Sequence, residues 1–357
     1  MVENFDISNI EIKEANLLNY DKEDWILYHE FRKKRHMAVR PDDPYVDDEA
    51  TEKSLKSQLT HPEFSADFHV IIDNSTGKLV GRYACIAIRE TSPSYEGNKH
   101  FIQFDLALLD EYRRKGIGTM VLKQVYKYAK ESNRTHIMSG SEEEDGKAFL
   151  KAIGAQVALS GVENRLKLKD IDWEMVEKWA KEGPERSPSS TLHFVESIPD
   201  EVIERYCEVF TETLNQQPLG DLEINDLIYT PELIRDRTAR WKELGRTHMT
   251  FYTQEADGDI SGLTEMIYVP EKETFISQLL TGVQKKYRGR GLGKWLKAAM
   301  LLKTREKFPE VEVVVTDNAT TNDPMLSIND RLGFKPYKES ITAQLSIDAL
   351  EEYLKNR

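Results

Sequence analysis

Two short glycine motifs carry the residues best suited to chemistry in this chain of 357 residues. The first comprises Arg113, Arg114, Lys115, Gly116, Ile117 and Gly118, and the second comprises Arg288, Gly289, Arg290, Gly291, Leu292 and Gly293. Glycine lets a loop turn its backbone N–H groups toward an anion, because it has no Cβ and tolerates positive φ. A helix that begins at such a loop adds free N–H groups and partial positive charge. The pattern therefore predicts a diphosphate site, to which Lys294 adds charge.

Each motif lies between a strand-like segment and a segment with helical periodicity. The strands are expected at Phe101–Leu108 and Phe275–Val283. A Rossmann fingerprint needs a third glycine, but Val121 and Leu296 stand at that position, and the Walker pattern is absent. Dinucleotide-binding and P-loop folds are thus excluded.

The two halves of the chain repeat one another. Arg288 follows Arg113 by 175 residues, and Gly333 follows Gly154 by 179. Each half reads as strand, two helices, three strands, helix, strand, helix, strand, which predicts a mixed, mainly antiparallel sheet flanked by helices. We therefore expect domains at 1–172 and 191–357, joined by a helix and linker at 173–190 that is rich in Pro, Ser and Gly.

The composition narrows the class of partner. A net charge of −13 opposes long-range attraction to nucleic acid or anionic lipid. No apolar run approaches the roughly 20 residues that span a bilayer, and the first residues lack the features of a signal peptide. Cys85 and Cys207 lie far apart and without metal-ligand spacing, so two reduced thiols, no metal and a cytoplasmic location are expected.

The second half resembles the GNAT superfamily, and the duplicated layout is similar to tandem GNAT acetyltransferases of the mycothiol synthase-like and actinobacterial types. Beyond the glycine loop, the resemblance rests on Thr316, Asn318, Asn322, Met325, Asn329 and Leu332-Gly333-Phe334. It implies two acyl-CoA N-acyltransferase domains and acetyl-CoA as cofactor. The backbone of Gly282 and Val283 would pair with the pantetheine arm, and the loop from Arg288 to Lys294 would hold the diphosphate. Asn318, Asn322, Met325 and Asn329 would complete the cofactor site.

The activity implied is transfer of an acetyl group to a primary amine by direct attack in a ternary complex. The resemblance makes Glu265 the candidate general base. Many GNAT enzymes have a tyrosine as proton donor where this chain has Asn329, so Tyr337 is the substitute candidate. A packed strand tyrosine remains the alternative for Tyr337, and a solvated carboxylate for Glu265.

The two copies are not equal. Glu143 stands at the position of Asn322, and Leu150 at that of Asn329, and acids follow Ser141. The first copy is therefore interpreted as degenerate or structural, with a possible second cofactor site at its motif. A small-molecule or peptide amine is the expected substrate, without nucleic-acid or membrane partners, for a monomer or homodimer. A non-catalytic acyl-CoA-binding or sensing protein is the alternative.

Overall fold

The computed structural model of the protein describes residues 5–357. The first half contains β1 (Ile10–Glu14), α1 (Lys22–Val39), α2 (Asp48–Leu59), β2 (Phe64–Asp73), β3 (Lys78–Ile88), α3 (Tyr95–Asn98), β4 (Phe101–Leu108), α4 (Ile117–Glu131), β5 (His136–Ser141), α5 (Glu144–Ala152), β6 (Gln156–Lys167) and α6 (Trp173–Arg186). The second half contains β7 (Ser190–Val195), α7 (Ile203–Asn215), α8 (Pro231–Glu243), β8 (Thr247–Glu255), β9 (Ile260–Tyr268), β10 (Phe275–Val283), α9 (Leu292–Lys307), β11 (Val313–Ala319), α10 (Asp323–Leu332), β12 (Lys335–Ser346) and α11 (Ile347–Lys355). The predicted order of strands and helices is confirmed in both halves.

Local sequence signals explain where several elements begin and end. The α1 helix starts at a capping box in which Asp21 and Asp24 bond to each other's backbone. The turn between β2 and β3 has Gly77 at φ 68°, and the turn between β8 and β9 has Gly258 at φ 88°. Both conformations favour glycine, so these two hairpins form where the sequence predicts them.

The chain forms two compact units, and each takes one strand from the other half. The first unit contains the described residues up to Leu159 together with Gly220–Asn225 and Ser340–Arg357, and the second contains Ser160–Leu219 and Asp226–Glu339. The sheet of the first unit has the order β1-β2-β3-β4-β5-β12, and that of the second has the order β6-β11-β10-β9-β8-β7. Parallel pairs join β4 to β5 and β10 to β11, and the other pairs described are antiparallel.

This exchange of last strands places the boundaries elsewhere than the expected ranges 1–172 and 191–357. Gly161–Lys167 of β6 pairs with Val313–Ala319 of β11, and Ile341–Ser346 of β12 pairs with His136–Ser141 of β5. The physical reason is that a strand's own alternation of side chains specifies which face is buried but does not specify which strand lies beside it. Two similar sheets can therefore exchange equivalent edge strands.

The segment expected to be a linker is largely helical. The α6 helix continues to Arg186 with Pro184 inside it, so only a few residues separate it from β7. It packs on α9, and Gly183 makes this possible, since a Cβ there would lie 2.2 Å from the Trp295 ring. Burial against Trp295 outweighs the low helix propensity of glycine and proline. No helix within residues 5–357 combines the length and apolar character needed to cross a membrane.

Candidate functional site

A gap between two parallel strands lies at the centre of the second unit. β10 pairs with β11 over Phe275–Ser277 and Val313–Val315. Past this point β10 stays paired with β9 as far as Val283, and β11 stays paired with β6 as far as Ala319. A bulge in β10 between Gln278 and Thr281 accompanies the separation. The facing edges of both strands are therefore available to an extended ligand.

The glycine loop follows the open end of β10. Gly291 caps α9 in the left-handed conformation with φ 83°, and Gly289 has the same φ. Side chains other than glycine are strained in this conformation. A Cβ at Gly289 would meet open space, whereas one at Gly291 would lie 3.1 Å from Nε of Arg186. The loop thus turns the N-terminus of α9 outward beside a guanidinium group, as expected for an anion site.

Three cations near this loop have no carboxylate partner within the described part of the chain: Arg186, Lys294 and Arg331. Arg186 and Arg331 are exposed, in the last turns of α6 and α10. Burial lowers the pKa of Lys294, and the charges of Arg331 and Arg186 lower it further. Mutual repulsion between unpaired cations is relieved when an anion binds among them. Lys294 was predicted from the sequence, while Arg186 was missed because its segment has the composition of a linker.

The two arginines of the motif have other partners. The guanidinium of Arg290 donates to Ser189 and Ser190 and lies 3.1 Å from a carboxylate oxygen of Glu255. Arg288 is exposed, donating to the side-chain oxygen of Gln216 and, at 3.2 Å, to the carbonyl oxygen of Val283. Arg290 therefore holds the loop to β7 and β8, and Arg288 remains accessible to a ligand.

Glu265, the candidate general base, is 1% exposed and fully engaged. Its Oε1 atom accepts hydrogen bonds of 2.6 Å from Arg237 and from the Tyr206 hydroxyl, and Nε2 of His248 lies 3.3 Å away. Burial would raise the pKa of Glu265, but Arg237 and His248, with the Tyr206 bond, hold it at about 2. A carboxylate with so low a pKa is a weak base at neutral pH. The geometry favours a structural ion-pair cluster that joins α7, α8, β8 and β9, and the general-base role of Glu265 stays a prediction.

The other predicted site residues divide between the gap and the sheet. Gly282 and Val283 lie at the open end of β10, and a Cβ on Gly282 would lie 2.3 Å from Thr213 of α7. Asn322 caps α10 and is half-buried, as is Met325. Tyr337, the candidate acid, lies on β12 with the Arg165 guanidinium 3.4 Å from its ring centroid. The residue is 36% exposed, so this stacking on Arg165 lies at the surface, and the proton-donor role of Tyr337 stays a prediction.

Asn318 and Asn329 belong to a buried polar chain that the sequence did not predict. Nζ of Lys297, on the inner side of α9, donates to Oδ1 of Asn329 at 2.8 Å. Nδ2 of Asn329 donates in turn to Oδ1 of Asn318 at 2.9 Å. Asn318 is half-buried and stands on β11 beyond its last pair with β10. The position at which many GNAT enzymes have tyrosine is thus linked to a lysine.

A groove lined by acids runs along α7 and has a volume of about 590 Å³. Glu208, Glu212 and Asp226 contribute its carboxylates, and Cys207 and Tyr229 lie beside them. Oε1 of Glu212 accepts a hydrogen bond of 3.3 Å from the backbone N–H of Lys285, at the start of the glycine loop. The sequence did not identify these acids as a group.

The motif of the first copy has the same backbone conformation but different surroundings. Gly116 caps α4 with φ 85°, and Arg114 has φ 60° where the second copy has Gly289. The guanidinium of Arg113 lies 2.6 Å from Glu143, and it also pairs with Asp110 at 3.0 Å and Asp145 at 3.1 Å. The motif arginine is thus neutralised by acids within its own unit.

Side chains also cover this first motif. Nζ of Lys115 lies 4.6 Å from the ring centroid of Phe5 and 5.5 Å from that of Tyr112. A Cβ at Gly116 would lie 2.9 Å from Cδ1 of Ile7. Phe5 and Ile7 therefore occupy the space in front of the first loop. In the second copy Arg186 lies beside the corresponding loop.

Comparison with known proteins assigns this fold. The tandem GNAT protein from the clavulanic acid biosynthesis pathway is 21% identical, with a TM-score of 0.73 over 95% of this chain and 98% of that chain. A GCN5-related N-acetyltransferase from Sphaerobacter thermophilus is 12% identical, with a TM-score of 0.64 over 95% and 96% of the two chains. N-myristoyltransferase from Saccharomyces cerevisiae with bound myristoyl-CoA is 12% identical, with a TM-score of 0.56 over 95% and 80%. The comparison with curated proteins found no match.

The chain therefore has the tandem GNAT fold, as the sequence resemblance predicted. Its residues 26–151 match the Acetyltransferase (GNAT) family, so the sequence match falls on the first copy. The fold and the family match together support an acyltransferase of the tandem GNAT type.

Proposed function

We propose that the chain transfers the acetyl group of acetyl-CoA to a primary amine, and that acetyl-CoA binds in the second copy. The observation that carries the proposal is the cluster of Arg186, Lys294 and Arg331 beside Gly291, which forms no salt bridge among residues 5–357, although the charge of Glu182 acts on Lys294 from farther away. Cations held together without counter-ions suit a ligand with several phosphate groups. Acetyl is proposed as the acyl group because the family match is to acetyltransferases.

The gap suits the rest of the cofactor. The free edge of β10 near Gly282 and Val283 can pair with the amides of an extended pantetheine arm, as an added strand pairs with a sheet edge. Asn318, Asn322 and Met325 stand at the other side of the gap or at the adjoining helix. When bound, acetyl-CoA supplies an activated thioester, and the chain's own residues hold and orient it.

The acidic groove supports an amine as the acceptor. Glu208, Glu212 and Asp226 attract a protonated amine and raise its local concentration near the glycine loop. Burial raises the pKa of the Cys207 thiol in this groove to about 11, so it is not a thiolate nucleophile at neutral pH. These features favour direct transfer in a ternary complex over an acyl-cysteine route.

The first copy is proposed to be structural. It keeps the positive-φ glycine Gly116 and the diverging strands, with β4 and β5 paired only over Phe101–Gln103 and His136–Met138. However, Arg113 is paired with three acids, and these repel phosphate. The first copy can therefore still match the family by sequence although it no longer binds the cofactor tightly.

The experiment is thiol release from acetyl-CoA in the presence of a panel of amines: aminosugars, free amino acids and peptides with free N-termini. The proposal expects release that depends on one class of amine and falls on Arg331→Ala. Asn329, at the position of the usual tyrosine, is the observation that favours the alternative of an acyl-CoA sensor. Tight binding of acetyl-CoA with no release on any amine would support that alternative.

A further inference from the structure

A lysine is buried where the fold gives it no counter-ion. Lys297 is 2% exposed on the inner side of α9, and its Nζ bonds to the neutral amide of Asn329. The ring of Phe334 lies 5.4 Å from the same atom. A buried ammonium without a carboxylate is costly for stability, so such groups concentrate where they serve function.

The first copy shows that the fold does not need this lysine. Gly116 and Gly291 cap equivalent helices, and the sixth residue after the cap is Leu122 in the first copy and Lys297 in the second. Glu143 and Asn322 cap the next helix, and the seventh residue after that cap is a leucine in the first copy and Asn329 in the second.

Both leucines, Leu122 and Leu150, are buried in the core of the first unit. The same two positions of the fold are thus filled by an apolar pair in one copy and by a lysine–asparagine pair in the other. Packing alone is satisfied by leucine at both, and replacement of a buried polar pair by apolar residues is often stabilising. The lysine–asparagine pair therefore indicates a role other than packing.

The hydrogen bonds of the chain have a fixed direction. Nζ of Lys297 donates to Oδ1 of Asn329, so Nδ2 of Asn329 lies toward Asn318. Both the charged and the neutral form of lysine can donate this bond. Asn318 must then present its oxygen to Asn329, which leaves its own Nδ2 as the free donor at the gap. Lys297 thereby sets the orientation of two amides that could otherwise each adopt either of two orientations.

The pKa of Lys297 lies close to neutral pH. Burial lowers its pKa to about 7, and burial is the sole cause of the shift. The other charged groups on the elements that pack against α9 do not face Nζ of Lys297. Five of them form ion pairs with other residues: Glu265 with Arg237, His248 with Glu265, Glu255 with Arg290, Glu177 with Arg305, and Glu182 with Lys178. Asp323, Asp330 and Arg331 are exposed at the surface.

We propose that Lys297 is a positioning residue of the acetyl-transfer site, which donates to Asn329 through Nζ and thereby orients Asn329 and Asn318 as donors at the gap for the departing thiolate. This inference rests on the proposed function. Acetyl transfer from the deprotonated amine forms a bond from the amine nitrogen to the acyl carbon, breaks the C–S bond, leaves the electron pair on sulfur and releases one proton from nitrogen to solvent. The oriented amide donors stabilise the negative sulfur, in place of a proton-donating tyrosine.

The test uses CoA itself, so it does not depend on knowing the amine. The full chain is saturated with CoA, and the thiolate absorbance in the ultraviolet is followed as the pH is raised. We expect the bound thiol to titrate about one pH unit below free CoA, because an oriented amide donor that bonds to the thiolate favours the charged form. In Lys297→Met the shift should disappear, while calorimetry finds the affinity for CoA unchanged within about threefold.

Two further variants separate this role from a structural one. Lys303→Met removes a lysine from the solvent side of the same helix and should keep the thiol shift. The double variant Lys297→Leu with Asn329→Leu transplants the pair of the first copy, so it should fold and lose the shift even if Lys297→Met does not fold. An equal thiol pKa in the wild-type chain and this double variant, with CoA bound to both, would overturn the inference. Failure of the wild-type chain to bind CoA would contradict it together with the proposed function, and calorimetry alone distinguishes that case.

Discussion

Replacement of Lys297 by methionine should change how the stability of the second unit depends on pH. The pKa of Lys297 is about 7 in the folded chain, against 10.5 for an ordinary lysine. Between these values the unfolded chain binds the proton and the folded chain does not, so stability rises with pH. At about 1.4 kcal/mol per pKa unit, the wild-type chain should gain about 3 kcal/mol of unfolding free energy between pH 6 and pH 9 from this residue.

The assay is urea unfolding at pH 6, 7, 8 and 9, followed by tryptophan fluorescence, for the wild-type chain and Lys297→Met. All other titrating groups are shared, so the difference between the two proteins isolates Lys297. Methionine fills a similar volume without charge, so the variant should be more stable at pH 6, and its advantage should shrink by about 3 kcal/mol at pH 9. Parallel stability curves across this range would refute the reasoning, because they would mean that the buried lysine keeps an ordinary pKa.

Three further predictions concern the ion pairs and the cation cluster. Glu265→Gln should cost about 3 kcal/mol of unfolding free energy at neutral pH, since it leaves Arg237 buried without a partner; unchanged stability with lost turnover would instead favour a general base. In the wild-type chain the contribution of Glu265 is present above pH 4.5 and should be lost as the pH falls toward 2. Arg331→Ala should weaken CoA about tenfold in calorimetry, and a smaller loss for dephospho-CoA would assign the contact to the 3′-phosphate, whereas equal losses would assign it to the diphosphate. Unchanged affinity for both ligands would contradict a phosphate contact. The triple variant Asp110→Asn, Glu143→Gln and Asp145→Asn should release Arg113 and raise the CoA stoichiometry above one, and an unchanged stoichiometry would show that the acids do not exclude phosphate.

Local patterns predicted the elements, because each depends on residues close in sequence. The alternation in Phe275–Val283 and the glycines after it specify a strand, a left-handed cap and a helix without reference to the rest of the chain. The exchange of β6 and β12 could not be predicted, since two homologous sheets offer equivalent edges to the same strand pattern. The helical structure at the end of α6 was not predicted either, because Pro184 and the serines that follow it are typical of a linker. The packing of Gly183 against Trp295 joins residues that are far apart in the sequence.

The roles of buried charged residues were harder to predict than the glycine loop. Glu265 follows a threonine on a strand, as the resemblance requires, but the sequence does not show that Arg237, 28 residues earlier, neutralises it. Lys297 had a readable signal. It stands between Leu296 and Ala298 on a helix whose inner side is apolar, and it aligns with Leu122 through the offset of the repeat. Comparison of the two copies shows that only one of them has a charged residue at this core position. Such a residue indicates function.

Titration of acetyl-CoA into matched glycine variants of the two copies tests the central claim most directly. Gly291 and Gly116 both cap a helix at positive φ, 83° and 85°, so valine imposes comparable backbone strain at either position. Calorimetry should find one acetyl-CoA per wild-type chain, no binding in Gly291→Val and unchanged binding in Gly116→Val. Binding that survives in Gly291→Val and is lost in Gly116→Val would contradict the account, because it would place acetyl-CoA in the first copy.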